Sequence, residues 1–143
     1  MDTYFAKVLA IERSALAEVK CPATLHTWQQ RIVGELLDPS STHSLALRES
    51  HKRLDGVDFI EQWRVLITQT IDRLASTRHD PVDPRCDTLD SNQMATLVLA
   101  ALHGGAALSH ISRDEHPLNA ALDLAFACFR RPPESRSSDG HDD

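Results

Sequence analysis

The sequence predicts an all-α protein, a single antiparallel helical domain, on three observations. Apolar residues recur at helical spacing along nearly the whole chain, almost nothing alternates as a strand would, and prolines and capping residues break the apolar runs at helix-length intervals. The 143 residues suit one domain, and a chain of this size buries roughly 68–70% of its unfolded surface, enough for a core without staples. Residues 1–131 are assigned to that domain and residues 132–143 to a disordered polar tail.

The elements follow in order. Phe5, Val8, Leu9, Leu16 and Val19 give an amphipathic opening helix that stops before Cys21-Pro22, because the residue ahead of a proline is pushed out of helical geometry. From Pro22, the stripe Leu25, Trp28, Ile32, Leu36 and Leu37 gives a second helix, ended by "DPSS". The mostly polar "LALRESHKRL" marks a third, weaker helix from about Ser44 to Leu54. Asp58 and Glu61 have the D-x-x-E spacing of a capping box, and Phe59, Trp63, Leu66, Ile67, Thr70 and Leu74 line one face of the fourth helix. Thr77 to Leu89, with two prolines, mixed charge and no periodicity, reads as a loop.

The fifth helix, from about Ser91 to Ser112, has a capping box at Asp90 and Gln93 and a staple pair at Leu89 and Met94. Met94, Leu97, Val98, Ala101, Leu102, Gly105 and Leu108 form one face while Leu99, Ala106 and Ala107 keep the flanks apolar, so burial on more than one side is expected. Gly104 and Gly105 fall inside it, where each costs about 1 kcal/mol relative to alanine, which implies that another backbone comes close. That backbone belongs either to a second subunit or to a neighbouring helix of the same chain. Pro117 opens the last helix, with the stripe Leu118, Ala121, Leu122, Ala125, Phe126 and Phe129. Arg130 and Arg131 suit its negative end, and Pro132-Pro133 closes it.

Composition excludes several function classes. Fifteen Lys and Arg against 21 carboxylates, a formal charge of −6, offer no basic field for phosphates, so direct nucleic-acid binding by this chain is not expected. Cys21, Cys86 and Cys128 are odd in number, far apart and without a C-x-x-C pair, which fits a reduced, cytoplasmic setting without zinc. The N-terminus lacks the apolar stretch of a signal peptide, so neither export nor a membrane is indicated. No two histidines stand at i and i+4 on a helix, and no Glu-x-x-His pair, nucleophile elbow or phosphate-binding glycine loop occurs. His103 and His110 lie about 10 Å apart along one helix, too far to share an ion. "RDEH", Arg113 to His116, sits in a turn and reads as helix capping, and Cys86 reads as an exposed thiol. No enzyme, metal or cofactor is expected.

"MATLVLAALHGGAALSHISRDEHPLNAALDLAFACF" resembles the end of the C-terminal domain of the tetracycline-repressor (TetR) family of transcriptional regulators: an apolar helix with a small-residue pair, a polar turn, then a closing amphipathic helix. "FIEQWRVLITQTIDRLAS", the acidic loop after it and "STHSLAL" fall where that family has its middle helices, and "YFAKVLAIE" is similar to the start of its first sensor helix. The similarity spans about residues 4 to 130 and rests on pattern, without an invariant motif. The chain departs from the family in having no helix-turn-helix ahead of this region; a fragment, a late start codon or a stand-alone protein each account for that.

The resemblance implies a bacterial-type transcription regulator's sensor domain, a homodimer whose last two helices form a four-helix bundle with their copies, and an internal pocket for a small apolar or aromatic ligand. The implied interface comprises Ala101, Gly104, Gly105, Leu108, Leu118, Ala121, Leu122, Ala125, Phe126 and Phe129. Trp28, Ile32, Phe59, Trp63, Leu66, Ile67, Leu99 and His103 are the candidates for the pocket, each weighed against plain core packing. The tryptophans stand out because a buried indole N–H needs a partner, and His103 serves either as a ligand contact or as an interface residue. The alternative is a helical interaction protein that pairs with a related regulator and senses no ligand.

Overall fold

Phe5, Val8, Leu9, Leu16 and Val19 meet in one core with Leu25, Trp28, Ile32, Val33, Leu36 and the apolar stripes of every later helix. The computed structural model describes residues 3–76 and 90–129. Among them the regular elements are all helical: α1 (Thr3–Ala17), α2 (Pro22–Leu37), α3 (Thr42–Ser50), α4 (Gly56–Ser76), α5 (Ser91–Ser112), α6 (His116–Ala125) and a closing 3-10 turn (Ala127–Phe129). The expected loop at Thr77–Leu89, the Leu89 half of the staple, the arginine and proline stop at 130–133, Cys86 and the tail lie outside the described residues.

The helix boundaries have local causes. Pro22 occupies the first turn of α2, where its missing N–H costs nothing. The α2 terminus is closed by the start of α3: Ser41 Oγ donates to the Glu35 carbonyl at 2.5 Å and Ser44 Oγ to the Leu36 carbonyl at 3.2 Å. Ser41 also caps α3 by accepting from the Ser44 N–H. The third helix therefore starts earlier than its apolar pattern indicates and ends at Ser50. There the chain folds tightly back, because Gly56 lies so near the Ser50 carbonyl that a Cβ would stand 2.2 Å from its oxygen.

The fourth helix corrects one expectation. It is already under way at Gly56, so Asp58 and Glu61 do not form a capping box. Asp58 accepts from Gln62, and Glu61 pairs with Arg64. The capping box of α5 is present in both directions, Asp90 to the Gln93 N–H and Gln93 back to the Asp90 N–H. At the other end of α5, Arg113 adopts a left-handed φ of 57°, and the N–H groups of Arg113 and Asp114 both bond the Ser109 carbonyl. α6 ends at Ala125, short of its expected stop, and carries Phe126 and Phe129 into the core through the 3-10 turn.

α5 packs against α6, α4 and α2, while α1 packs against α4 and α3. Aromatic rings join these layers. Phe5 of α1 stacks on Phe59 of α4 with centroids 4.5 Å apart, and Trp28 of α2 meets Phe126 edge-on at 6.0 Å. By length and composition α5 is apolar enough to cross a membrane, but here it is a core helix with Met94, Ala95, Val98, Leu99, Leu102 and Ala106 buried.

The glycine pair divides its roles. Gly105 faces α6 of the same chain, where a Cβ would stand 2.9 Å from the Leu118 Cα. Gly104 is exposed, with nothing within 4 Å of its would-be Cβ. Gly105→Ala should destabilise the fold: overpacking costs about 1–3 kcal/mol against about 1 kcal/mol of helix propensity gained. Gly104→Ala should stabilise it by up to about 1 kcal/mol. Urea denaturation at low protein concentration measures both.

Candidate functional site

Two polar constellations interrupt the apolar interior. The first surrounds Glu12, which occupies the inward stripe of α1 between Leu9 and Leu16 and is fully buried. Its carboxylate accepts from Trp28 Nε1 at 2.9 Å, from the Arg31 guanidinium at 2.9 Å and from His43 Nε2 at 2.8 Å. The proton on His43 Nε2 follows from its partner, since a carboxylate can only accept. Burial pushes the Glu12 pKa upward, but the bonds from His43 and Arg31, the charge of His43 and the Trp28 N–H outweigh it and hold the group below its ordinary 4.5.

His43 is itself buried. Its ring lies edge-on to Trp63 at 6.1 Å, and its Nδ1, without a hydrogen-bond partner, stands 3.7 Å from Glu35 Oε1. The Trp63 N–H is buried and, among the described residues, also without a partner. The two tryptophans therefore differ: Trp28 binds a carboxylate, while Trp63 contributes ring area alone. Beside Trp28 and Arg31, a hollow of about 300 Å³ opens, bounded also by Ala15, Glu18, Val19, Thr24 and Thr27.

The second constellation lies where α2, α3 and α5 meet. A hollow of about 170 Å³ is floored by Leu36, Leu47, Ala106 and Ala107 and rimmed by Ser44, Arg48, His51, His103 and His110. His51 and His103 meet edge to face at 5.3 Å. Burial, and then the charge of His51, hold His103 below its ordinary 6.5, so its neutral form dominates near pH 7. His110 is occupied structurally, its Nε2–H donating to the Leu36 carbonyl at 2.9 Å. Among the described residues no carboxylate lines the hollow, and there is no group of three metal-ligating side chains.

The structure distributes the expected ligand residues unevenly. Trp28 and His103 border the two hollows, Leu66 is half-buried, and Ile32, Phe59, Trp63, Ile67 and Leu99 lie within the core. Of the expected interface, the chain's own packing buries Ala101, Gly105, Leu118, Leu122, Ala125, Phe126 and Phe129; Gly104 and Leu108 are exposed and Ala121 is half-buried. Sequence reasoning missed Glu12, Arg31 and His43. The available signal was Glu12, a charge in the middle of an apolar stripe. It also passed over Arg48 and His51, which stand at the end of a polar helix and at its cap, with no apolar stripe to rank them.

The cysteines differ from the expectation of unpaired thiols. Cys128 is disulfide-bonded. Cys21 is free and exposed at the start of α2, and hydrogen bonds from the Thr24 and Ala23 backbone and the Thr24 side chain lower its thiol pKa. Comparison of the chain with protein-family models, with curated proteins and with solved structures returns no match.

Replacing Glu12 with Gln should cost about 3 kcal/mol or more, since the buried donors around it lose a charged acceptor. Because the folded pKa lies below the unfolded one, this stabilisation is present above the ordinary carboxylate range and lost as pH falls through the folded value. Thermal melts between pH 7 and pH 3 should show a steeper acid loss for the wild type than for Glu12→Gln.

Proposed function

We propose that this chain is a ligand-responsive regulatory domain that acts as a homodimer through α5 and α6, of the kind that ends tetracycline-repressor-type regulators. The observation that carries this reading is the double use of α5. One flank of the helix, with His103, Ala106, Ala107 and His110, walls the hollow shared with α2 and α3. Its outer face, with Leu97, Ala100, Gly104, Ala107, Leu108 and Ile111 at three- and four-residue steps, is exposed and carries no charge. Ala121 of α6 lies against Gly105 at 3.5 Å from its would-be Cβ, and exposed Leu124 follows on the same flank of α6. A continuous apolar strip of this kind on a soluble domain marks an association surface.

A second copy is the partner argued for because the strip is uncharged while the chain as a whole carries −6. Two such chains repel except where they present neutral faces to each other. Exposed Gly104 leaves room on the strip for a facing side chain. One rigid helix touching both hollow and strip supplies a physical link from ligand to assembly. A cytoplasmic location belongs to this proposal. So does the absence of direct nucleic-acid contact, which the acidic balance supports. The disulfide at Cys128 weighs against that location, since such bonds persist mainly in oxidising compartments. Alkylating thiols in intact cells before lysis tests it: modification of Cys128 supports the cytoplasm, and protection of Cys128 overturns that part of the proposal.

A second reading, an interaction domain that pairs with a related regulator without sensing a ligand, draws support from the five ligand candidates packed into the core. The two readings separate in a ligand panel followed by thermal melts, where only a sensor gains stability. For the dimer, sedimentation equilibrium of the wild type should give twice the 15.9 kDa chain mass. Leu97→Glu and Leu108→Glu should each weaken association by about tenfold or more while leaving helix content unchanged. A wild-type monomer at all concentrations overturns the dimeric reading.

A further inference from the structure

We infer that the hollow between α2, α3 and α5 is a binding site for a small apolar monocarboxylate, held by Arg48 and the His51–His103 pair. The inference rests on the sensor reading above and names the ligand class.

The lining fixes the chemistry. Leu36, Leu47, Ala106 and Ala107 make the floor apolar, so the ligand must carry a hydrocarbon or aromatic body. The titratable groups that the described residues place around it, Arg48 of α3, His51 at its C-terminal cap, and His103 and His110 of α5, are all basic. In a chain whose 21 Asp and Glu outnumber its 15 Lys and Arg, a hollow bordered by no carboxylate among the described residues favours negative charge. The Arg48 guanidinium has no hydrogen-bond or ion-pair partner among the described residues, and it is the one permanent charge they bring to the lining. A single guanidinium matches a single carboxylate, which it binds through two parallel N–H bonds. A doubly charged phosphate would enter an apolar hollow with only half its charge met.

Two features of the site oppose an anion: bonds within the site weaken the first, and the ligand itself offsets the second. The carbonyl ends of α2 and α3 converge here, and the negative pole of each helix repels a carboxylate. The Leu36 carbonyl is already engaged by His110 and Ser44, and the Leu47 carbonyl by Ser50 Oγ at 2.6 Å. The second opposing feature is that His103 is held neutral by burial and by its neighbour His51. A carboxylate bound beside the ring pair offsets the repulsion and favours the imidazolium, so binding takes up a proton. Neither ring is fixed to a carboxylate that would compete with the ligand, and His110, bonded to Leu36, holds the wall in place.

The test is titration calorimetry of the full chain with benzoate and octanoate, with benzamide as the neutral analogue and inorganic phosphate as the hydrophilic anion. The two carboxylates should bind with proton uptake, seen as a heat that varies with buffer ionisation enthalpy. Their affinity should fall as pH rises through the histidine range, and benzamide and phosphate should bind at least about tenfold more weakly. Arg48→Gln and His51→Gln, both at exposed positions and so compatible with folding, should each weaken benzoate by about tenfold or more. Chemical-shift changes should centre on His51 and His103.

Equal binding of benzamide and benzoate, shifts centred instead on Trp28 and Arg31, or no carboxylate binding at millimolar concentration would overturn the inference. If benzamide binds in this hollow and stabilises the fold while the carboxylates do not, the sensor reading survives and the ligand class falls. If no member of the panel binds, the ligand class falls, and the wider ligand panel decides whether the sensor reading falls with it.

Discussion

A single buried carboxylate governs how the first half of this protein is assembled. Moving an ionised acid from water into an apolar core costs several kcal/mol unless charge and hydrogen bonds replace the lost hydration. Glu12 meets that demand with three donors, two from α2 and one from α3. α1 therefore cannot pack at an arbitrary register: its acid must come opposite Trp28 and Arg31 one turn apart, and α3 must deliver His43 to the oxygen that Arg31 also binds. The serines that close α2 and start α3 make the second condition achievable, because they bind the end of one helix to the beginning of the next.

The second half is organised by proximity rather than charge. α5 has apolar residues nearly all round, and three neighbouring helices take up most of them. Gly105 lets α6 approach until backbone meets backbone, and the turn between them is held by Ser109, whose carbonyl accepts from Arg113 and Asp114 while its hydroxyl accepts from the Leu118 N–H at 3.0 Å. What remains exposed on α5 is one neutral strip and one wall of the histidine-rimmed hollow. A shift of this helix would change both surfaces together, because a packed helix moves as a unit.

Much of the helical architecture was legible in the chain. The stripes of Phe5 to Val19, Leu25 to Leu36 and Phe59 to Leu74, the proline at the start of α2 and the Asp90–Gln93 capping box each encode a local decision made by neighbours three or four residues away. Where the reading slipped, the deciding contact was distant or sterically particular. Asp58 and Glu61 imitated a cap, but the position of Gly56 against Ser50 set the true start of α4. The glycine pair announced a close approach without saying whose backbone approached; three-dimensional packing gives Gly105 to α6 and leaves Gly104 facing outward.

The sequence by itself determined the helical class, most helix boundaries and the presence of an acid on an apolar stripe, because helix periodicity and capping act over a single turn. Only the tertiary structure decided that Glu12 gathers Trp28, Arg31 and His43, and that Arg48, His51 and His103 border one hollow. It also decided which tryptophan has a partner for its N–H. Glu12 lies 16 to 31 residues from its three partners, and His103 lies 52 and 55 residues from His51 and Arg48, with no common spacing. Their meeting depends on how helices are laid against one another, which is settled by the summed packing of the whole core rather than by any local pattern.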